Sequence, residues 1–414
     1  MAEGPRSLGR RHRAGRPQAH DSDRRPGGGR RDGDPAAARH RRRAPRADRR
    51  AQGGREIAPL DFYFLTDGGQ TADAVAQRLA LFLDGATTSM DIAIYDLRLA
   101  ASPAAVVLAS FEAAVKRGVK IRLMFNQDHA LAIPVPAPPE IDWDFVHRLE
   151  AAGVQVKPVS GVPDLMHHKY VVRDATTDAA TVLTGSTNWT NDSWNREENA
   201  MFTIASGEVA RDYAANFEGL WENPIVALSG RISSPWSRLA DGTDVRPYFC
   251  PGRSLKLVHA MSRSIASAQK RIRICSPVIT SGPVLGTLAE VIAQSRVDVA
   301  GVYDATQMEE VNRQWGSQPG AAWKIAAFHS ITSGARFGSK HSTPYAKGST
   351  HDFMHAKILV TDDYVYAGSF NLSHSGESNA ENVVQIGSAA IAELCAAFID
   401  RIAARYGGVP LKVA

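Results

Sequence analysis

The feature that most constrains this chain is that it repeats itself. Residues 166–174 read MHHKYVVRD and residues 354–362 read MHAKILVTD. Each stretch sets a histidine, a lysine two residues on, and an aspartate five residues beyond that: His167, Lys169 and Asp174, then His355, Lys357 and Asp362. Chance placement of the chain's His, Lys and Asp predicts roughly 0.02 occurrences of the pattern, so two must be explained together. The likeness continues downstream, where GSTNWTNDSWNREENA from Gly185 matches GSFNLSHSGESNAENV from Gly368. Without a gap, Gly185, Ser186, Asn188, Glu198 and Asn199 align with Gly368, Ser369, Asn371, Glu381 and Asn382. The interval from Asp to Gly is five residues longer in the first copy, where ATTDAA suits a longer hairpin turn.

The flanking segments repeat as well. FYFLTDGG parallels PYFCPG, and each precedes a stretch of helical periodicity, TADAVAQRLALFLDGA and SLKLVHAMSRSIASAQ. Strands follow in MDIAIYDL and RIRICSPVI. A second helix comes next in each half, opened at Ser102-Pro103 or at Ser281 with Pro283, and then the strands KIRLMF and VDVAGVY. Alternating strands and helices predict an α/β fold, and two copies predict a pair of α/β sandwich domains related by a pseudo-twofold axis. Such an axis sets one motif against its own repeat, giving one active site at the interface. The expected organisation is a tail over 1–57, a first domain over 58–228, a connector over 229–246 and a second domain over 247–414.

Charge is distributed unevenly. Residues 1–55 hold 17 Arg against 6 acids, a net of +11, so the chain's total of +5 leaves −6 for the remainder. The tail, rich in Gly, Pro and Arg and almost without aliphatic or aromatic residues, has too little apolar surface to offset its ordering entropy and is expected to be disordered. An arm for anionic lipid or nucleic acid and an inert solvated extension are the two readings weighed for it. No apolar segment follows its paired arginines, so it does not read as an export signal, and the cytoplasm is the expected compartment. No run of eighteen uncharged apolar residues is present to span a bilayer. Cys250, Cys275 and Cys395 lack metal-binding spacing and read as plain buried thiols.

In a strand, side chains alternate, so His167 and Lys169 share one face and His168 the other; the same parity joins His355 to Lys357. Bringing the halves together gives two imidazoles and two ammonium groups, with Asn188, Ser186, Asn371 and Ser369 adding neutral hydrogen-bonding groups. That set attracts a phosphate, for which lysine is a compact point charge. Attack on a phosphodiester needs a nucleophile, a proton for the leaving oxygen and stabilised non-bridging oxygens, and two histidines can divide the first two tasks. No metal or other cofactor is required. A nucleophilic imidazole needs an acceptor at its other nitrogen, for which Glu198 and Glu381 are the candidates. Asp174 and Asp362, at the far ends of their strands, are expected to hold loops and sheet edge and not to touch substrate.

With these residues in view, the two HxKxxxxD motifs, the GSxN after each and the later Glu-Asn resemble the phospholipase D superfamily in its two-motif, single-chain form, over about residues 60–410. The resemblance implies two phospholipase D-like α/β domains around one site, a covalent phosphohistidine intermediate, and transfer of a phosphatidyl or other phosphoryl group to water or an alcohol. It implies His167 as nucleophile and His355 as general acid. It also implies a phospholipid or other phosphodiester as substrate, peripheral contact with a membrane, and a monomer, since one chain carries both motifs. A nuclease of the same superfamily acting on DNA or RNA is the alternative, against which the acidic body stands. A phosphatidyltransferase of cardiolipin synthase type is the second alternative, although such enzymes usually carry membrane spans.

Other features read more plainly. His147, His259 and His329 are expected to be structural. Trp189 and Trp194 are weighed as a cation-π surface for a choline head group against ordinary packing, which the area of an indole favours. Residues 333–352, SGARFGSKHSTPYAKGSTHD with Lys340, His341 and Lys347, read as a loop, either over the substrate entrance or merely solvated. No role is inferred for the proline-rich IPVPAPPE at 133–140.

Overall fold

The structure, a computed structural model, describes residues 58–129, 141–346 and 348–407. The Arg-rich tail, the proline-rich 133–140 stretch and Lys347 lie outside the described residues. The repeat in sequence is a repeat in space. A seven-stranded sheet runs Leu60–Leu65, Asn199–Ala205, Thr181–Gly185, Lys169–Arg173, Ser89–Ile94, Lys120–Asn126, Gln155–Val159. The eight-stranded sheet repeats that order as Asp244–Phe249, Asn382–Gly387, Tyr364–Gly368, Ile358–Thr361, Arg271–Cys275, Asp298–Asp304, Arg336–Lys340, and adds Ser237–Arg238 from the connector at its edge. In each, the strand that continues from the HxK motif sits at the centre, antiparallel to the first βαβ strand, Ser89–Ile94 or Arg271–Cys275, which pairs in parallel with the next.

The two sheets share a core. Helices Gly207–Glu222 and Ala389–Arg405 bring Tyr213, Phe217, Phe398 and Ile399 against Tyr170, Val182, Val360 and Val384, and all of these are buried. Both helices start at a serine cap on the residue after a strand: Ser206 Oγ accepts from Val209 N–H and Ser388 Oγ from Ile391 N–H. Further helices cover the outer face of each sheet. Ala72–Asp84 and Ala101–Lys116 supply Val75, Leu79, Val107 and Phe111, while Ser254–Ser267 and Gly282–Ala293 supply Leu257, Met261, Leu285 and Leu288. This is the α/β, pseudo-twofold architecture that the repeat predicts.

One expectation fails locally. The 333–352 stretch is not wholly a loop, because helix Ala322–Gly334 ends within it and Arg336–Lys340 forms a strand parallel to Asp298–Asp304. The strand is hard to see because it carries little apolar residue content; its inner face is made by Gly338 and the buried Lys340. A Cβ on Gly338 would stand 2.5 Å from the carbonyl oxygen of Ala403, so the glycine lets the last helix lie against the sheet.

Candidate active site

Each motif strand begins at or just after its lysine, so both histidines precede regular pairing and are held by isolated bridges to the opposite half. His167 N–H donates to Ala380 O (2.9 Å), and His355 N–H donates to Glu198 O (3.0 Å). The lysines fold back on the same loops. Lys169 Nζ donates to His167 O (2.9 Å) and Lys357 Nζ to His355 O (2.5 Å), so each His-Lys pair is one compact unit.

The imidazoles are oriented across the seam. His167 Nδ1 lies 2.8 Å from Glu381 Oε1 of the second half, and Glu381 Oε2 accepts from Ser369 Oγ at 2.5 Å. His355 Nδ1 lies 3.1 Å from Asn199 Oδ1 and 3.1 Å from Glu197 Oε2, both of the first half, and Ser186 Oγ donates to Asn199 Oδ1 at 2.7 Å. In both rings the engaged nitrogen is Nδ1, which leaves Nε2 for chemistry. The serines thus hold the groups that orient the histidines, a tighter role than the loose phosphate donors expected from sequence.

Glu198 is the correction. The gapless alignment pairs it with Glu381, but Ser186 N–H bonds to Ala200 O while Ser369 N–H bonds to Asn382 O, so the first half carries one extra residue before its strand. The bridges Met166 to Ala380 and Glu198 to Met354 make Ala380 the spatial counterpart of Glu198, and Asn199 that of Glu381. Glu198 does not reach His355; its carboxylate bonds Lys340 Nζ (2.8 Å) and Tyr406 Oη (2.5 Å). The second histidine is oriented by Glu197 and Asn199. The doubled Glu at 197 and 198 is the one hint in sequence that such a slip is available.

Asp174 and Asp362 stand apart from the histidines, as expected. Both occupy the left-handed region (φ 54° and 52°) that Asp tolerates better than most residues. Asp174 accepts from the backbone N–H groups of Thr87, Thr88 and Ser89, and Asp362 from those of Gln269, Lys270 and Arg271. Each therefore fastens the start of the neighbouring strand. Asn188 and Asn371 each leave a buried Oδ1 without a protein partner, hydrogen-bonding capacity that is costly unless a ligand uses it. Tyr95, which the sequence reading passed over, sets its ring 4.6 Å from that of His167 and 4.7 Å from Lys169 Nζ. Trp189 and Trp194 are buried in the first outer core, so they pack and offer no head-group surface. His168 points the other way, with Nδ1 near Asn382 and Nε2 near Asn216.

Burial dominates the electrostatics. It holds His167 well below the ordinary imidazole range, helped by the ammonium groups of Lys169 and Lys357 and by His355. Burial lowers His355 to about 4, with Lys357 adding to the effect and Glu197 opposing it. Lys357 falls to about 7 through burial, against the pull of Glu197 and Glu381. Burial raises Glu381 to about 8 although Lys169 and Ser369 favour its charged form. Burial would also raise Glu197, but His355, Ser193 and Asn199 outweigh it and hold the carboxyl at about 2. Among the described residues no group of three or more His, Cys, Asp or Glu side chains could hold a metal ion, and no helix is long and apolar enough to cross a membrane.

The site is therefore a buried cluster of two imidazoles and two lysines, shared by two α/β repeats. That arrangement and sequence comparison agree: residues 79–221 and 261–403 each match the family described as "Cardiolipin synthase, PLD-like domain", and the chain belongs to the phospholipase D superfamily. Among curated proteins it resembles mitochondrial cardiolipin hydrolase of Xenopus tropicalis, 28% identical over 150 residues, which is 36% of this chain and 62% of that one. The human cardiolipin hydrolase is 27% identical over 151 residues, 36% of this chain and 52% of that one. The match thus spans less than two thirds of these relatives. Among solved structures, phosphatidylserine synthase of Haemophilus influenzae Rd KW20 superposes with a TM-score of 0.57 at 13% identity, over 84% of this chain and 86% of that one. Polyphosphate kinase of Porphyromonas gingivalis gives 0.52 at 12% identity, over 82% of this chain and 50% of that one. At such identities these likenesses concern the fold.

Proposed function

We propose that the chain is a metal-independent phosphodiesterase of phospholipase D type, which hydrolyses or transfers the phosphatidyl group of a phospholipid through a phosphohistidine. The observation that carries the proposal is the reciprocal pairing of the two imidazoles. Each Nδ1 is fixed by the opposite half, and the ammonium groups of Lys169 and Lys357 bear on both rings. His167 Nε2 attacks phosphorus, the P–O bond to the leaving alcohol breaks, and His355 Nε2–H protonates the departing oxygen. Water or an alcohol then gives its proton to His355 and attacks phosphorus, breaking the P–N bond and freeing His167. Lys169, Lys357 and the amides of Asn188 and Asn371 receive the non-bridging oxygens. The negative charge of a bound phosphodiester offsets the two ammonium groups and so raises His355, making it an effective acid in the complex.

Several things support a phospholipid. The curated relatives are named as cardiolipin hydrolases and one structural neighbour as a phosphatidylserine synthase. The net −6 of residues 56–414 disfavours a duplex, whose binding leans on cationic surface. Both motifs lie in one chain, so a single copy suffices for a complete site. The test is a side-by-side assay on phosphatidylcholine vesicles, cardiolipin vesicles and single- and double-stranded DNA, without added metal. Phospholipid turnover, abolished by His167→Ala, is expected. Turnover of DNA alone would reassign the substrate, and a His167→Ala variant with near-normal rate would remove the nucleophile.

A further inference from the structure

The misaligned Glu198 stands in a cluster that the chemistry above does not use. Its side chain is fully buried, Lys340 is only 4% exposed, and their contact measures 2.8 Å. Tyr406 Oη donates to the other carboxylate oxygen at 2.5 Å, Asp67 N–H reaches the same oxygen at 3.3 Å, and Arg405 Nη1 approaches to 3.9 Å. Lys340 also donates to Arg196 O (3.1 Å) and lies 3.3 Å from Asp67 Oδ2. Asp67 and Arg196 belong to the first half, whereas Lys340 ends the last strand of the second sheet and Tyr406 follows the final helix. The cluster therefore ties both halves together.

The pseudosymmetry supplies a control. The spatial counterpart of Glu198 is Ala380, which gives His167 the same backbone bridge with no side chain beyond Cβ. The counterpart of Lys340 is Val159, since Asp304 faces Lys340 in one sheet as Asn126 faces Val159 in the other. On the His167 side both positions are apolar; on the His355 side both are charged and paired. A buried ion pair is a costly way to hold a backbone unless its geometry matters. The two histidines also differ in how they are held. His167 has one short bond to Glu381 at 2.8 Å, while His355 divides its Nδ1 between two partners at 3.1 Å.

We infer that Glu198, clamped by Lys340 and Tyr406, is a positioning residue for the acid step. It fixes the backbone bridge from which His355 hangs, and so sets that imidazole against Glu197 and Asn199. The inference rests on the phosphodiesterase reading and assigns the cluster to one step of it. Besides Glu197, the charged groups bearing on His355 are Lys357 and Lys169, and the clamp acts by placing the ring among these.

A misplaced acid harms a reaction in proportion to the leaving group's need for a proton. The probes are aryl methyl phosphodiesters whose leaving groups run from 4-nitrophenol to phenol, followed through the first turnover so that later hydrolysis of the intermediate does not interfere. Lys340→Met is expected to slow the phenyl ester about tenfold or more and the 4-nitrophenyl ester little. Tyr406→Phe should give the same pattern at roughly fivefold, and serves if Lys340→Met does not fold. Glu198→Gln, which keeps the side chain's shape but removes the ion pair with Lys340, should slow the phenyl ester with the same dependence on leaving group. Equal slowing of all esters, or a Glu198→Gln variant that slows none of them, overturns the inference and leaves the phosphodiesterase intact. An unaltered chain inactive on every ester removes the phosphodiesterase reading, and this inference with it.

Discussion

Glu381 offers the sharpest separation of activity from stability. Its carboxylate accepts from His167 Nδ1 at 2.8 Å and from Ser369 Oγ at 2.5 Å, and it is fully buried. Glu381→Gln keeps the shape and one acceptor but removes a carboxyl that can become negative, above about pH 8 in the resting site and more readily once the neighbouring imidazole turns cationic on attack. The difference between a charged and a neutral hydrogen bond, about 1–1.5 kcal/mol, predicts a rate lower by about tenfold. Glu381→Ala leaves the ring N–H and the serine hydroxyl unpaired and lets the imidazole turn, for which a loss of about 10²–10⁴ is expected. Stability should move the other way. Burial raises the folded pKa of Glu381 to about 8, so the folded chain holds a proton that the unfolded chain releases at ordinary carboxylate pH. Its contribution is fully present below the unfolded value and is lost as pH rises towards about 8. The Gln variant escapes that loss and is expected to melt at or above the unaltered chain at pH 8. Rapid-quench trapping of the covalent intermediate measures the rate, and calorimetry measures the melting. An Ala variant within threefold of the unaltered rate, or a Gln variant that is both slower and less stable at pH 8, would refute the reasoning.

Glu197 favours the charged form of His355 from 3.1 Å, against burial and Lys357. Glu197→Gln should therefore move the His355 limb of the kcat/KM profile below about 4, and a shift to higher pH would contradict the assignment. At the opposite end of the motif strand, Asp174→Asn faces three N–H donors with an uncharged amide and should cost about 1–3 kcal/mol by denaturant titration, with catalysis unchanged per folded molecule. Burial alone would raise Asp174, but the N–H groups of Ser89 and Thr88 outweigh it and its folded pKa is lowered. The stabilisation is therefore present above the unfolded carboxylate pKa and lost as pH falls through the folded one. The gap between variant and unaltered chain should close in acid; a gap that widens there would remove the account.

What the sequence made legible, and what it hid, follows from the period of each signal. The His-x-Lys parity was readable because it is local: two residues along an extended segment return to the same face, and Lys169 folds onto His167 O as Lys357 folds onto His355 O. The αL aspartates were readable for the same reason, since a carboxylate just past a strand finds the neighbouring strand's first N–H groups within reach. The orienting groups were not local. They arrive from the opposite half of the chain, 214 residues from His167 in one case and 156 from His355 in the other, and their register is set by hydrogen bonds that no alignment of the two copies contains. A single extra residue between Ser186 and the strand at Asn199 moves Glu198 into the position of Ala380. In a β-type segment one residue of slip exchanges the faces, so the carboxylate that alignment assigns to His355 turns to Lys340, and the amide after it takes the place of the acid. Lys340, visible in sequence only as part of a loop, lies in a strand too poor in apolar residues to read as one. The two active-site halves are thus alike where the chain repeats itself over a few residues and unlike where the partner is chosen across the seam. The proposed reaction, in which one histidine attacks and the other donates a proton, would make use of that difference between otherwise equivalent imidazoles.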